Sequence, residues 1–125
     1  MKLYAWNIGM AATMPSNNGY DLNAWVIDEI SEEKPDCFVL TEFVVSRGMD
    51  EFIRKIEENN YHWFISASTK KNGILIAVNK SAFEFDDTLD YLKDTVRTAE
   101  VLSGTTCLPD FLEVLVHWEG KILSI

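Results

Sequence analysis

Pro35-Asp36-Cys37-Phe38-Val39-Leu40-Thr41-Glu42 is the stretch whose reading decides the fold. The proline closes whatever precedes it, an apolar run from Cys37 to Leu40 follows without a break, and the run stops on a carboxylate. An unbroken apolar run suits a strand buried on both faces. An acid at its end would lie at the carboxyl edge of a sheet, where open α/β sheets receive ligands. Lys2-Leu3-Tyr4-Ala5-Trp6-Asn7 has the same form and ends in an amide. Two strands that end on metal- or phosphate-competent groups, with a helix between them, make one candidate site.

The helix is expected over residues 21–34. Leu22, Trp25, Val26, Glu29 and Ile30 fall near the 3, 4, 7, 8 spacing, and four of the five are apolar, so one face packs on the sheet. Glu32 and Glu33 are placed on the outer side. Pro35 ends the helix because the residue before a proline is pushed out of helical geometry. Strand, helix and strand within about 40 residues suggest a βαβ-like crossover, and a layered αβ sandwich fits as well.

Outward from this unit, Gly9 to Gly19 reads as a loop rich in Gly, Asn, Ser and Pro. Phe43 to Gly48 reads as a connection carrying Arg47. Met49 to Glu58 reads as a second helix, with Met49, Phe52, Ile53 and Ile56 on one stripe and Asp50 and Glu51 at its positive end. Asn59-Asn60 stops it. Tyr61 to Ala67 and Ile74 to Val78 are predicted strands, joined by Lys70-Lys71-Asn72-Gly73, whose Asn-Gly pair accepts the positive φ of a tight hairpin. A short helix is expected near Leu89 to Val96, within an acid-rich stretch (Glu84, Asp86, Asp87, Asp90, Asp94) read as a solvated face. Phe111 to His117 and Lys121 to Ile125 are the last two strands, with Glu119-Gly120 turning the chain between them. The chain stops inside the sixth predicted strand.

At 125 residues the length fits one domain, and 47% hydrophobic content is enough to build a core. The net charge of −9 argues against broad electrostatic attraction to nucleic acid, which needs a basic surface. It leaves room for a phosphate ester held through a cation. Lys70, Lys71 and Lys80 are the one local basic cluster and read as a solvated turn. No apolar run approaches the roughly 20 residues of a membrane helix, and the first residues read as a strand rather than a secretion signal. A cytoplasmic location is expected. Cys37 and Cys107 are too few for a disulfide framework, and Cys37 reads as a small core residue. Trp6, Trp25, Trp63 and Trp118 read as core packing rather than base-stacking platforms.

The two strand motifs, in this order and spacing, resemble the endonuclease/exonuclease/phosphatase superfamily. So do the later aromatic strand Tyr61-His62-Trp63-Phe64, the strand Asn72-Gly73-Ile74-Leu75-Ile76-Ala77-Val78, and the paired strands around Glu119-Gly120. The resemblance implies an α+β fold, half of a four-layer αββα sandwich, with a mixed sheet of about six strands and two main helices on one face. It implies phosphoester hydrolysis with Mg²⁺ or Mn²⁺, Glu42 as the metal ligand, and Asn7 as a catalytic residue helping to hold the metal and phosphate. Without the resemblance, Glu42 reads first as a strand-end carboxylate that caps or pairs with Arg47, and the alternative for Asn7 is a turn-forming amide.

Only the first half of that family's domain is covered. Its second half supplies an Asp-x-Asn motif and a late Asp-His pair, which activate water and bind phosphate. His62 and His117 lie in predicted strands, at the wrong place in the order to serve. Residues 1–125 are therefore expected to be the N-terminal part of one domain, binding metal weakly or not at all and not turning over substrate alone. The other reading is a non-catalytic half-domain that self-associates or binds a partner through exposed sheet, because a bare edge strand at Lys121 to Ile125 invites pairing.

Overall fold

The computed structural model describes residues 1–8, 15–16, 19–20, 24–43, 49–66, 73–83, 96–98 and 112–125. Its elements, in order, are β1 (Leu3–Asn7), β2 (Pro15–Ser16), β3 (Gly19–Tyr20), α1 (Ala24–Glu33), β4 (Cys37–Phe43), α2 (Met49–Glu58), β5 (Tyr61–Ile65), β6 (Gly73–Asn79), β7 (Val96–Thr98), β8 (Leu112–Trp118) and β9 (Lys121–Ser124). The protein is α+β. Four strands form a mixed sheet in the order β1-β4-β6-β5, with β1 and β4 parallel and the other pairs antiparallel. A parallel pair needs a long crossover, and α1 supplies it.

The last two predicted strands do not join that sheet. β8 and β9 form a separate three-stranded sheet with β7, in the order β7-β8-β9. β2 and β3 make a two-residue ladder of their own. The short helix expected near Leu89 to Val96 falls mostly outside the described residues, and Val96 itself opens β7. The Lys70–Asn72 turn also lies outside them, although β5 and β6 pair as the hairpin requires.

Side-chain alternation divides the core in two. On one face of the mixed sheet, Phe38 and Leu40 of β4 and Leu75 and Ala77 of β6 meet Val26, Ile27 and Ile30 of α1 and Phe52 and Ile56 of α2. On the other face, Cys37, Ile76 and Val78 meet Leu112, Val114 and Val116 of β8. This gives a helix layer, a four-stranded sheet and a three-stranded sheet. β4 is buried on both faces, which is why its sequence is apolar at consecutive positions. Each large apolar side chain so buried contributes about 1.5–3 kcal/mol.

The helices end where their caps require. Lys34, at φ 45°, donates its N–H to the Ile30 carbonyl, and Pro35 cannot continue the turn. Asn60, at φ 69°, closes α2 through the Glu57 carbonyl. α1 is described over Ala24–Glu33, the expected start at Asp21 lying outside the described residues, and Ile27 joins Val26 and Ile30 on its buried face. Glu33 keeps 38% of its side chain exposed, yet it reaches β1. It accepts from Lys2 Nζ at 2.6 Å and from Tyr4 Oη at 2.7 Å, tying the end of α1 to β1. Those bonds hold the Glu33 carboxyl below its usual pKa range, first through Lys2 and then Tyr4. The Lys2 amide donates to Asp36 at 2.6 Å, so the start of β1 is held on both sides.

Cys37 is a free, buried thiol whose pKa is pushed up to about 12, chiefly by desolvation. It is inert core, as its place in the apolar run suggests. Cys107 lies outside the described residues. Trp6 and Trp63 pack against the helix-side core, and Trp118 packs between the sheets. Among the described residues, no helix is long and apolar enough to cross a membrane.

His62 of β5 is half-buried with its ring edge-on to Phe64 at 5.0 Å. Desolvation lowers its pKa below 6.5, and the Lys80 charge lowers it further. The folded chain thus releases the His62 proton more readily than the unfolded chain does. The resulting stability is full above pH 6.5 and is lost as pH falls through the lowered pKa. Between pH 6.5 and about 5, before the carboxylates titrate, the parent's melting temperature should fall more steeply than that of His62→Phe. Parallel slopes for the two proteins would refute this.

Candidate metal site at the carboxyl ends of β1 and β4

β1 and β4 run side by side in register, with Leu3 beside Cys37 and Asn7 beside Thr41. Their carboxyl ends therefore reach the same rim of the sheet. There Asn7 Nδ2 donates to Glu42 Oε1 at 3.0 Å, joining residues 35 positions apart. Both side chains are exposed. The Ile8 N–H donates to the Thr41 carbonyl at 3.1 Å, carrying the pairing past the end of β1. Thr41 Oγ1 donates to the Trp6 carbonyl at 3.4 Å. The rim is thus fixed by backbone pairing on each side of the amide and the acid.

Glu42 does not sit in regular strand geometry. Its φ is 58°, in the left-handed region that side chains other than glycine rarely adopt. The β4–β6 register shifts at this point: Thr41 pairs with Ile74 and Phe43 with Gly73, leaving Glu42 without a partner on β6. This is a β-bulge, which bends a strand and re-aims a side chain. A strained non-glycine residue costs about 1–3 kcal/mol and persists only where its surroundings enforce it.

The bulge was not legible as the end of an apolar run. One signal was present: Leu40 and Phe43 are both apolar and three apart, which breaks the period of two. Phe43, read as part of a connection, is the last residue of β4 and fully buried. Arg47, the other partner considered for Glu42, lies outside the described residues. His62 and His117 are within β5 and β8, as expected. Both are half-buried and engaged by neighbours.

The donor set suits a hard cation. Mg²⁺ and Mn²⁺ take oxygen ligands, and Mg²⁺ commonly uses one or two carboxylates with water and phosphate oxygens completing the shell. Glu42 offers a carboxylate, and Asn7 offers an amide beside it. Among the described residues, no group of three or more His, Cys, Asp and Glu side chains gathers at one place.

No protein-family model and no curated protein matches this sequence. Among solved structures, the chain is similar to that described as "Crystal structure of humanized D. rerio TDP2 by 14 mutations". The TM-score is 0.65 at 14% sequence identity, with 99% of this chain and 47% of that chain covered. The likeness is one of fold. This chain spans about half the length of that solved chain.

Proposed function

We propose that this chain is the N-terminal part of a divalent-metal-dependent phosphoester hydrolase domain, nuclease or phosphatase. The observation that carries the proposal is the Asn7–Glu42 pair, brought together at the carboxyl rim of two parallel strands. The fold-level likeness to the TDP2 structure supports it, together with the resemblance of the two strand motifs to the endonuclease/exonuclease/phosphatase superfamily. On this reading, the helix layer and two sheets are three layers of an αββα sandwich. Further chain would complete the domain and bring the groups that activate water.

Glu42 would hold the Mg²⁺ or Mn²⁺, with Asn7 orienting the carboxylate and meeting a phosphate oxygen. The cation, when bound, would polarise the phosphoryl group and steady the leaving oxygen. What this chain contributes is position. The amide holds one carboxylate oxygen, so the acid faces the rim in a set rotamer before any ligand arrives. With the water-activating groups placed in further chain on this reading, this length alone is expected to bind a metal weakly and not to turn over substrate.

Mn²⁺ titration followed by electron paramagnetic resonance tests the reading. The parent should bind one weak Mn²⁺, and Glu42→Gln, which keeps shape and removes charge, should weaken it at least ~10-fold. Equal affinity in both proteins, or no binding by the parent, would remove the metal assignment. A second reading, a non-catalytic half-domain that self-associates, is favoured by Ile122, 65% exposed on the edge strand β9. Light scattering that finds a dimer dispersed by Ile122→Lys would support that reading instead.

A further inference from the structure

Regular alternation along β4 would send Glu42 to the same face as Phe38 and Leu40, into the helix-side core, and would turn Phe43 away from it. The structure has the reverse. Phe43 is fully buried in that core, with its ring 5.7 Å from Phe52 of α2, and Glu42 is exposed and bonded to Asn7. One bulge accomplishes both changes, since Thr41 and Glu42 together occupy the space of one residue opposite β6. Left-handed backbone at a glutamate is unfavourable by itself. Two gains offset it: an aromatic ring enters the core, and a carboxylate stays out of it.

We infer that Phe43 is the positioning residue of this site: its burial against Phe52 imposes the bulge that turns the Glu42 carboxylate onto the Asn7 amide. The metal role of Glu42 rests on the function proposed above, whereas the positioning by Phe43 does not. The acid is therefore aimed from the helix layer, through a residue fully buried in the core. Gly73, the residue paired with Phe43, is itself buried and opens β6, so the register resumes at once beyond the bulge.

The double variant E42F/F43E tests this, because it restores strict alternation without changing composition. It should fold and melt at or above the parent's temperature, since the left-handed residue is no longer needed. The Asn7 side-chain amide signals, followed by nuclear magnetic resonance without metal, should shift as far as in Glu42→Gln. Phe43→Leu, which keeps an apolar side chain at the same place, should leave them near their parental positions. A double variant that melts lower, fails to fold, or keeps the parental Asn7 signals would overturn the inference. The amide signals decide the positioning. Mn²⁺ binding decides the metal role separately, so either reading can fail while the other stands.

Discussion

Truncating Tyr61 to alanine should destabilise the chain by about 3–5 kcal/mol, the range for losing a large aromatic from a packed core. Tyr61 is 1% exposed and stands edge-on to Phe38, with ring centroids 5.1 Å apart. Its hydroxyl donates to the Pro35 carbonyl at 2.6 Å. That bond fastens the first residue of β5 to the junction between α1 and β4, 26 residues earlier. Nearby, the Asn79 N–H donates to the Asp36 carbonyl at 2.8 Å, so one turn is gripped from two strands. Tyr61→Phe separates the two contributions. It keeps the ring and leaves a buried carbonyl unsatisfied, for about 1–3 kcal/mol. A domain's whole stability is about 5–15 kcal/mol, so the alanine variant should be largely unfolded or melt far lower. Urea unfolding followed by circular dichroism measures both variants. A Tyr61→Ala loss under about 1 kcal/mol would mean that this junction is not packed as described.

Val114→Asp should act on a different layer. Val114 is fully buried between the sheets, beside Val116 and facing the Ile76 and Val78 side of the mixed sheet. Its N–H and carbonyl pair with Ile125 at 3.0 and 2.9 Å, so the backbone there is fixed. An aspartate at this position would bury a charge with no partner, at about 3–5 kcal/mol if the sheets stay together. Separation of the layers is the cheaper outcome. Amide exchange in β8 and β9 should rise by orders of magnitude, while β4 and β6, still covered by α1 and α2, retain protection. Unchanged protection in β8 would show that the three-stranded sheet does not depend on this contact.

What was legible in the sequence was what depends on neighbours along the chain. The β4 run was readable because burial on both faces removes the polar half of the pattern. α2 was readable to its ends, with its apolar stripe and Asn59-Asn60 agreeing on the boundary. The split into two sheets was not readable, because β8 and β9 alternate in the same way whether they extend one sheet or face it. Only the choice of partner distinguishes the two, and that choice is made between distant residues. The proximity of Asn7 and Glu42 followed from parallel pairing and is seen in the structure. The backbone that aims Glu42 was hidden, because a bulge is the outcome of competition between adjacent residues for one core position. The bonds from Glu33 to Lys2 and Tyr4 are hidden for a related reason: a helix's outer side, judged from its own sequence, does not show a strand arriving beside it.

The left-handed backbone at Glu42 sets shape against charge at a single position. Conformation alone prefers glycine there, because a missing Cβ removes the penalty, whereas the proposed cation binding would demand an acid. A randomised library screened only for heat resistance should drift to glycine at this codon, and one screened for metal uptake should hold on to the acid. Which letter survives would report what the position is kept for.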